Sequence, residues 1–301
     1  ARRQVMLLTG GPGTGKTTCL RGVLALFERM GLETALAAPT GRAAKRLGEL
    51  CGTEASTIHR LLETGFDPHS GRLVFSHNAS DPLKADAVIV DETSMVDVPL
   101  MAALLSAMQG DCRLVLVGDP DQLPPVGPGF PFGDMLRSEA LPTVRLTEIF
   151  RQARESLIVM NAHRINQGQM PDLRDRKRDF FFLPCRSEQE VGATIAGLCA
   201  TRLPKNMGIP ATEIQVLSPT RKGETGTKNL NLALQAVLNP PAAGKKEKRY
   251  GDFSFREGDR VMQIRNNYDI LWKNPNGLGA GTGIFNGDIG VIVQIDYEAE
   301  L

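Results

Sequence analysis

Short apolar runs bounded by turn residues alternate along the first half of the chain with stretches whose apolar residues recur at helical spacing. "QVMLLTG", "TALAAPT", "DAVIVDE" and "RLVLVGD" are continuous apolar runs of strand length, whereas "TTCLRGVLALFERM", "GRAAKRLGEL" and "VPLMAALLSAM" carry the three-to-four-residue period of an amphipathic helix. Strands alternating with helices predict βαβ units around a parallel sheet, and strands apolar throughout predict helices on both of its faces. The alternation is broken at residues 63–77, "ETGFDPHSGRLVFSH", where a cluster of turn residues between short flanks predicts an inserted β-hairpin.

After residue 150 a second α/β pattern is expected: a helix near 155–166, a strand "DFFFLP", a helix within 187–202, a strand "EIQVLSP" and a helix "TKNLNLALQAVL". "NPPAAGKKEKR" reads as a flexible loop, and "GDRVMQI" and "GDIGVIVQID" read as strands of a small sheet or barrel.

Composition narrows the picture little. A chain of 301 residues is long enough for two domains, and 42% hydrophobic residues without a run of membrane-spanning length is the profile of a globular protein. Five scattered cysteines without a C-x-x-C pair argue against a disulfide framework or a zinc site, and a cytoplasmic location is expected. The formal net charge of +1 gives no global attraction to nucleic acid, although "GRAAKR" and "RDRKR" concentrate positive charge locally.

The chemistry is concentrated at strand ends, where ligands bind in open α/β sheets. "GGPGTGKT", residues 10–17, matches G-x-x-x-x-G-K-[ST] between an apolar strand and a helix. In that setting the backbone amides of Gly11, Pro12, Gly13, Thr14, Gly15, Lys16, Thr17 and Thr18 (Pro12 excepted as a donor) form a phosphate cradle. Lys16 would reach the β/γ oxygens of ATP, and the Thr17 hydroxyl would sit on Mg²⁺. A dinucleotide fingerprint is excluded, because Lys16 occupies the place of its last glycine. Asp91 and Glu92 follow the run "AVIV"; beside a P-loop they suit a Mg²⁺-holding aspartate and a glutamate that orients and deprotonates water, and otherwise a polar strand cap. "RLVLV" leads into "GDPDQLPPVGPG", which brings Gln122 to the same phosphates, and Pro124-Pro125 stiffens the loop behind it.

"TGGPGTGKTT", "APTGRAAKRL", "ASTIHRLL", "IVDETSMVD", "VGDPDQLPPVGPG" and "LTEIFRQ", in this order, resemble the motifs of RecD-like superfamily 1 helicases of the 5′-to-3′ branch, of which the exodeoxyribonuclease V alpha subunit is one. "FREGDRVMQIRNNYD" and "FNGDIGVIVQID" resemble that branch's second motor domain. The resemblance implies an α/β P-loop NTPase fold of two tandem RecA-like domains with parallel sheets. Residues 1–150 would be the first motor domain, with 63–77 as its hairpin and a candidate strand-splitting pin; 151–282 an incomplete second; and 283–301 the start of an SH3-like insertion. It implies ATP-dependent 5′-to-3′ movement on single-stranded DNA and unwinding at single/double-strand junctions, and that the chain is part of a longer motor. It further implies γ-phosphate sensing by Gln122, an arginine finger at Arg151, and DNA contacts from Pro39, Thr40, Gly41, Arg42, Thr57, His59, Asn266 and Asn267. A non-translocating DNA-stimulated ATPase switch and the helicase portion of a conjugative relaxase are the alternatives.

Overall fold

The computed structural model describes residues 3–66, 73–265, 267–273, 280–284 and 286–297. By its internal contacts the chain divides into one unit of Ala1–Phe181 with Asn266–Asn286 and a second of Phe182–Arg265 with Gly287–Leu301.

The first unit is built on β1 (Val5–Gly10), α1 (Lys16–Arg29), β2 (Thr34–Ala38), α2 (Gly41–Cys51), β3 (Ala55–Thr57), α3 (Ile58–Leu61), the hairpin β4 (Thr64–Phe66) and β5 (Leu73–Phe75), and β6 (Ala87–Val90). It continues through α4 (Val98–Ser106), β7 (Arg113–Gly118), α5 (Pro131–Ser138), β8 (Thr143–Leu146), α6 (Arg151–Glu155) and α7 (Leu157–Asn166). Six strands form one sheet in the order β3-β2-β6-β7-β1-β8, with every pairing parallel.

Successive side chains of a strand point to opposite faces, and the core divides accordingly. Leu7, Val88, Val90, Leu114 and Leu116 pack on one side against Leu100 and Leu104 of α4 and Phe132 and Leu136 of α5. Leu8, Ile89, Val115 and Val117 pack on the other against Leu20, Leu24 and Phe27 of α1 and Leu47 of α2. This is why the strands are apolar throughout: neither face meets water. Phe132 is fully buried, and its ring lies so close to Gly118 that a Cβ there would stand 2.8 Å from Phe132 Cε1. Phe132→Ala is therefore expected to destabilise the protein by about 3–5 kcal/mol, read as a lowered urea midpoint.

The hairpin pairs antiparallel as expected, Thr64 opposite Phe75; its turn, 67–72, lies outside the described residues. The unit holding the P-loop runs on past residue 150 to Phe181 because Ile149, Phe150, Ala153, Val159 and His163 all lie against P-loop glycines.

In the second unit α8 (Glu188–Gly197) leads through a π-helical turn, Leu198–Arg202, into α9 (Leu203–Met207), and α10 (Thr227–Leu238) follows. Then come the hairpin β9 (Glu247–Tyr250) and β10 (Phe253–Arg256), and β11 (Arg260–Met262). The antiparallel ribbon of β12 (Asn267–Lys273) and β13 (Ala280–Ile284) falls in the first unit, and β14 (Ile289–Val291) pairs antiparallel with β11 in the second.

Here the structure corrects three expectations. "DFFFLP" and "EIQVLSP" form no strands: among the described residues neither is paired with a strand, so their backbone groups have no ladder. Phe181, Phe182, Leu183 and Leu217 accordingly remain 47%, 48%, 43% and 87% exposed. The end of the loop "NPPAAGKKEKR" is strand β9, held by a polar network. Arg256 Nε donates to Glu247 at 2.7 Å, the Arg256 amide to Asp259 at 2.7 Å, and Asn239 Nδ2 to the other Asp259 oxygen at 2.7 Å. Arg256 is buried, and its hydrogen bond holds the Glu247 carboxyl below the usual range.

Candidate nucleotide site

Four adjacent strands, β6, β7, β1 and β8, end at one edge of the sheet, and the segments leaving them carry the chemistry. From β1 the chain enters the P-loop. Gly13 and Gly15 take left-handed backbone, φ 72° and 85°, a conformation that glycine adopts without a steric penalty, and Gly15 caps α1. The loop thus ends at a helix N-terminus, where amides and the helix dipole favour an anion. Lys16 Nζ donates to the carbonyls of Gly10 at 2.6 Å and Gly11 at 3.1 Å, and Thr14 Oγ1 donates to Gly11 at 2.8 Å. Thr17 is half-buried at the start of α1, and Pro12, Gly13 and Thr18 are exposed.

From β6 come Asp91 and Glu92. Asp91 accepts the Glu92 amide at 2.9 Å. Burial, the main cause, pushes the Asp91 carboxyl up, while that amide, Lys16 and Arg46 pull it back. Glu92 is also raised, first by burial and then by Asp91, against Lys16, Arg46 and a hydrogen bond from Gln122. Its Oε2 is buried and has no partner among the described residues. Glu92 is one of the few non-glycine residues with positive φ, at 51°, and strain of that kind persists where the surroundings over-determine it.

From β7 comes the loop carrying Gln122, whose amide bonds the Asp119 carbonyl at 3.2 Å, while Asp119 Oδ1 accepts the Asp121 amide at 3.1 Å. Those two bonds form the turn that brings the Gln122 side chain back to Glu92. The segment after β8 closes the other side. A cavity of about 630 Å³ beside the P-loop is lined by Thr14, Cys19, Arg145, Glu148, Phe150 and Arg154, among others, within the size range of small-molecule sites. Arg151 opens α6, next to Phe150; its side chain lies outside what is described.

Lys16, Asp91, Glu92 and Gln122 are thus brought together. The proposed DNA residues are divided. Thr40 and Thr57 use their hydroxyls as helix caps, accepting the amides of Ala43 at 3.3 Å and Arg60 at 3.1 Å, and Thr57 is buried. Pro39 and Gly41 are half-buried, and Arg42 is exposed. His59 lies with its ring 6.1 Å from that of Phe75, and burial lowers its pKa against the pull of Asp97. Asn267 is exposed at the start of β12, and Asn266 lies outside the described residues.

Sequence reasoning missed Arg46, four residues after Arg42 on α2 and so on the same helical stripe, which acts electrostatically on both acids. It also missed the contacts of Phe150 and His163 with the P-loop.

A phosphate cradle at a helix N-terminus, with an acidic pair at the end of a strand two places along the same sheet, is the arrangement of a P-loop nucleotide-binding protein. A family profile described as "AAA domain" matches residues 1–180, and one described as "ATP-dependent RecD-like DNA helicase SH3 domain" matches residues 230–301. The chain belongs to the AAA-domain family of P-loop proteins.

The ATP-dependent RecD2 DNA helicase of Deinococcus radiodurans is 39% identical over 296 residues, 98% of this chain and 37% of that protein. The RecBCD enzyme subunit RecD of Mycolicibacterium smegmatis is 44% identical over 153 residues, 43% of this chain and 27% of that protein. The Pif1 helicase from Candida albicans matches over 98% of this chain and 66% of that chain, at 21% identity and a TM-score of 0.49. The chain therefore corresponds to about a third of the length of the RecD2 protein. Among the described residues no helix is long and apolar enough to cross a membrane.

Proposed function

We propose that the chain is the ATP-hydrolysing motor of a DNA helicase that moves 5′ to 3′ on single-stranded DNA and opens duplex at single/double-strand junctions. One observation carries the chemical part: the buried, unpartnered Glu92 Oε2 beside Asp91, Lys16 and Gln122, at the strand edge that also holds the P-loop. A buried carboxylate oxygen without a partner is costly unless something polar arrives, and a water held for attack is such a partner.

The residues present fit ATP and Mg²⁺. The P-loop amides and Lys16 provide the donors that phosphates need, and Mg²⁺ characteristically takes one or two protein oxygens and completes its shell with phosphate and water. Thr17 and Asp91 would hold it, and it would supply charge neutralisation on the phosphates. Glu92, its pKa raised first by burial, takes the proton of the water. Gln122, whose side chain lowers the Glu92 pKa, would transmit the state of the phosphate site to the stiff loop behind it. Arg151 would contribute positive charge from the segment after β8. The cavity lined by Arg145 to Phe150 has room for the rest of the nucleotide.

DNA would be held mainly through its phosphates, so the affinity of the native full-length protein for single-stranded DNA should fall with log salt at about 0.7 per neutralised phosphate. A flat response would count against the strand path. The deciding experiment combines DNA-stimulated ATPase with displacement of streptavidin from either end of a biotinylated single strand. Displacement from the 3′ end alone supports a 5′-to-3′ motor. ATPase without displacement would leave a DNA-stimulated switch, and absence of both would remove the reading.

A further inference from the structure

Two consecutive P-loop carbonyls are bonded from outside the loop by the same segment. The Phe150 amide donates to Gly13 at 3.2 Å, and His163 Nε2 lies 3.2 Å from the Pro12 carbonyl. A carbonyl only accepts, so Nε2 carries the proton in this contact. The imidazole edge lies over Gly11: a Cβ there would be 2.6 Å from His163 Cε1. Four residues earlier on α7, Val159 Cγ1 would stand 3.5 Å from a Cβ on Gly13. Residues four apart share a helix face, so α7 lays the Val159–His163 stripe along the loop from Gly13 to Gly11.

The helix that presents His163 is itself firmly anchored. Ser156 caps it by accepting the Val159 amide at 3.2 Å, and Asp179 Oδ1 accepts the amides of Leu157 at 2.7 Å and Ile158 at 3.2 Å. Buried Asn161 exchanges two hydrogen bonds with the backbone of Asp172, at 2.7 and 3.1 Å. The imidazole is therefore aimed by its supporting helix, which is the condition for precise positioning of a functional group.

We propose that His163 is a positioning residue of the nucleotide site. It holds the Pro12 carbonyl turned away from the cradle, so that the loop meets triphosphate already shaped to receive it. Lys16 and Thr14 hold the carbonyls of Gly10 and Gly11 from within, and His163 and Phe150 hold those of Pro12 and Gly13 from without. The segment carrying Arg151 is tied to the loop through its neighbour Phe150 by the same arrangement. This inference rests on the P-loop being the nucleotide site.

The test uses the native full-length protein and a fluorescent N-methylanthraniloyl ATP with Mg²⁺, alongside DNA-stimulated ATPase and thermal melting. His163→Ala should weaken nucleotide binding and raise the KM for ATP about five- to tenfold, the loss of one hydrogen bond that preorganises the site. Turnover at saturating ATP should stay within about twofold, and single-stranded DNA binding without nucleotide should be unchanged. His163→Gln, whose Nε2 still donates, should return affinity to within about twofold of wild type, whereas His163→Phe, which fills the space without donating, should not.

Rescue by Phe as well as Gln would reduce the contact to packing and overturn the proposal. So would an alanine variant with wild-type affinity, or one that loses DNA binding and melting temperature together with nucleotide. If the wild-type protein binds no nucleotide, the P-loop reading itself fails and takes the role of His163 with it.

Discussion

Lys16→Gln is expected to lower ATP turnover by a hundred- to a thousandfold or more while leaving the protein folded, with a melting temperature within a few degrees of wild type. The rate loss follows from removing a fixed positive charge where phosphate charge develops, and single preorganised donors of this kind are worth about 10²–10³ in rate. The fold should survive because among the described residues the Lys16 ammonium bonds only carbonyls of its own loop, at 2.6 and 3.1 Å, and a glutamine amide can still donate to a carbonyl. Lys16 also pulls down the pKa of both Asp91 and Glu92. The substitution therefore removes a counter-charge from the acidic pair, and both carboxyls should rise further, shifting whatever hydrolysis remains toward higher pH. Turnover near the wild-type rate in a folded variant would falsify the assignment of the phosphate site. A melting temperature lowered by ten degrees or more would instead make Lys16 a structural residue of the loop.

Much of this site was legible in the sequence because its elements are local. The strands β1, β2, β6 and β7 are short apolar runs closed by turn residues, and each owes its composition to helices on both faces. The chemistry follows those strand ends directly, so finding the strands located Lys16, Asp91, Glu92 and Gln122. What escaped is physically different. β3 and β8 are three- and four-residue edge strands, too short for a period and, at Val144, 44% exposed. "DFFFLP" has the composition of a buried strand, yet composition supplies no partner strand. β9 is three charged residues and a tyrosine and reads as a loop, but the buried Arg256 and its hydrogen bond to Glu247 give that polar strand a reason to pair.

The site's missed features are long-range or conformational. His163 meets Pro12 across 151 positions of chain, and no local pattern announces such a contact. The left-handed backbone of Glu92 is equally silent, since glutamate is not a residue that signals positive φ. Arg46 alone left a readable trace, its four-residue spacing from Arg42. In the sequence pattern the P-loop glycines let backbone amides wrap the phosphates. Gly11 and Gly13 are also the places where His163 and Ala153 come too close for any side chain, Ala153 Cβ standing 2.6 Å from a Cβ on Gly13.

Glu92→Gln is expected to keep nucleotide binding and lose hydrolysis by about 10²–10⁴, the usual contribution of a positioned general base. Lys16, Thr17 and Asp91 are untouched, so affinity for ATP with Mg²⁺ should stay within a few-fold. The same substitution carries a second, independent signature in stability. Burial and the neighbouring Asp91 raise the Glu92 pKa in the folded protein. A carboxyl with a higher pKa folded than unfolded binds its proton more tightly in the folded state. Its favourable contribution is complete at pH values below the unfolded pKa, about 4.3 for glutamate, and is lost as pH rises through the folded value. At neutral pH the ionised group therefore weighs against folding, and a neutral glutamine does not. The nucleotide-free variant should melt above wild type at pH 7–8, and the gap should close as the pH falls toward 4. Catalytic groups commonly carry this conflict between function and stability. Loss of nucleotide binding in a folded Glu92→Gln protein would mean the residue holds ligand rather than water. A variant that melts below wild type at pH 8 would show instead that the carboxylate supports the fold through Gln122.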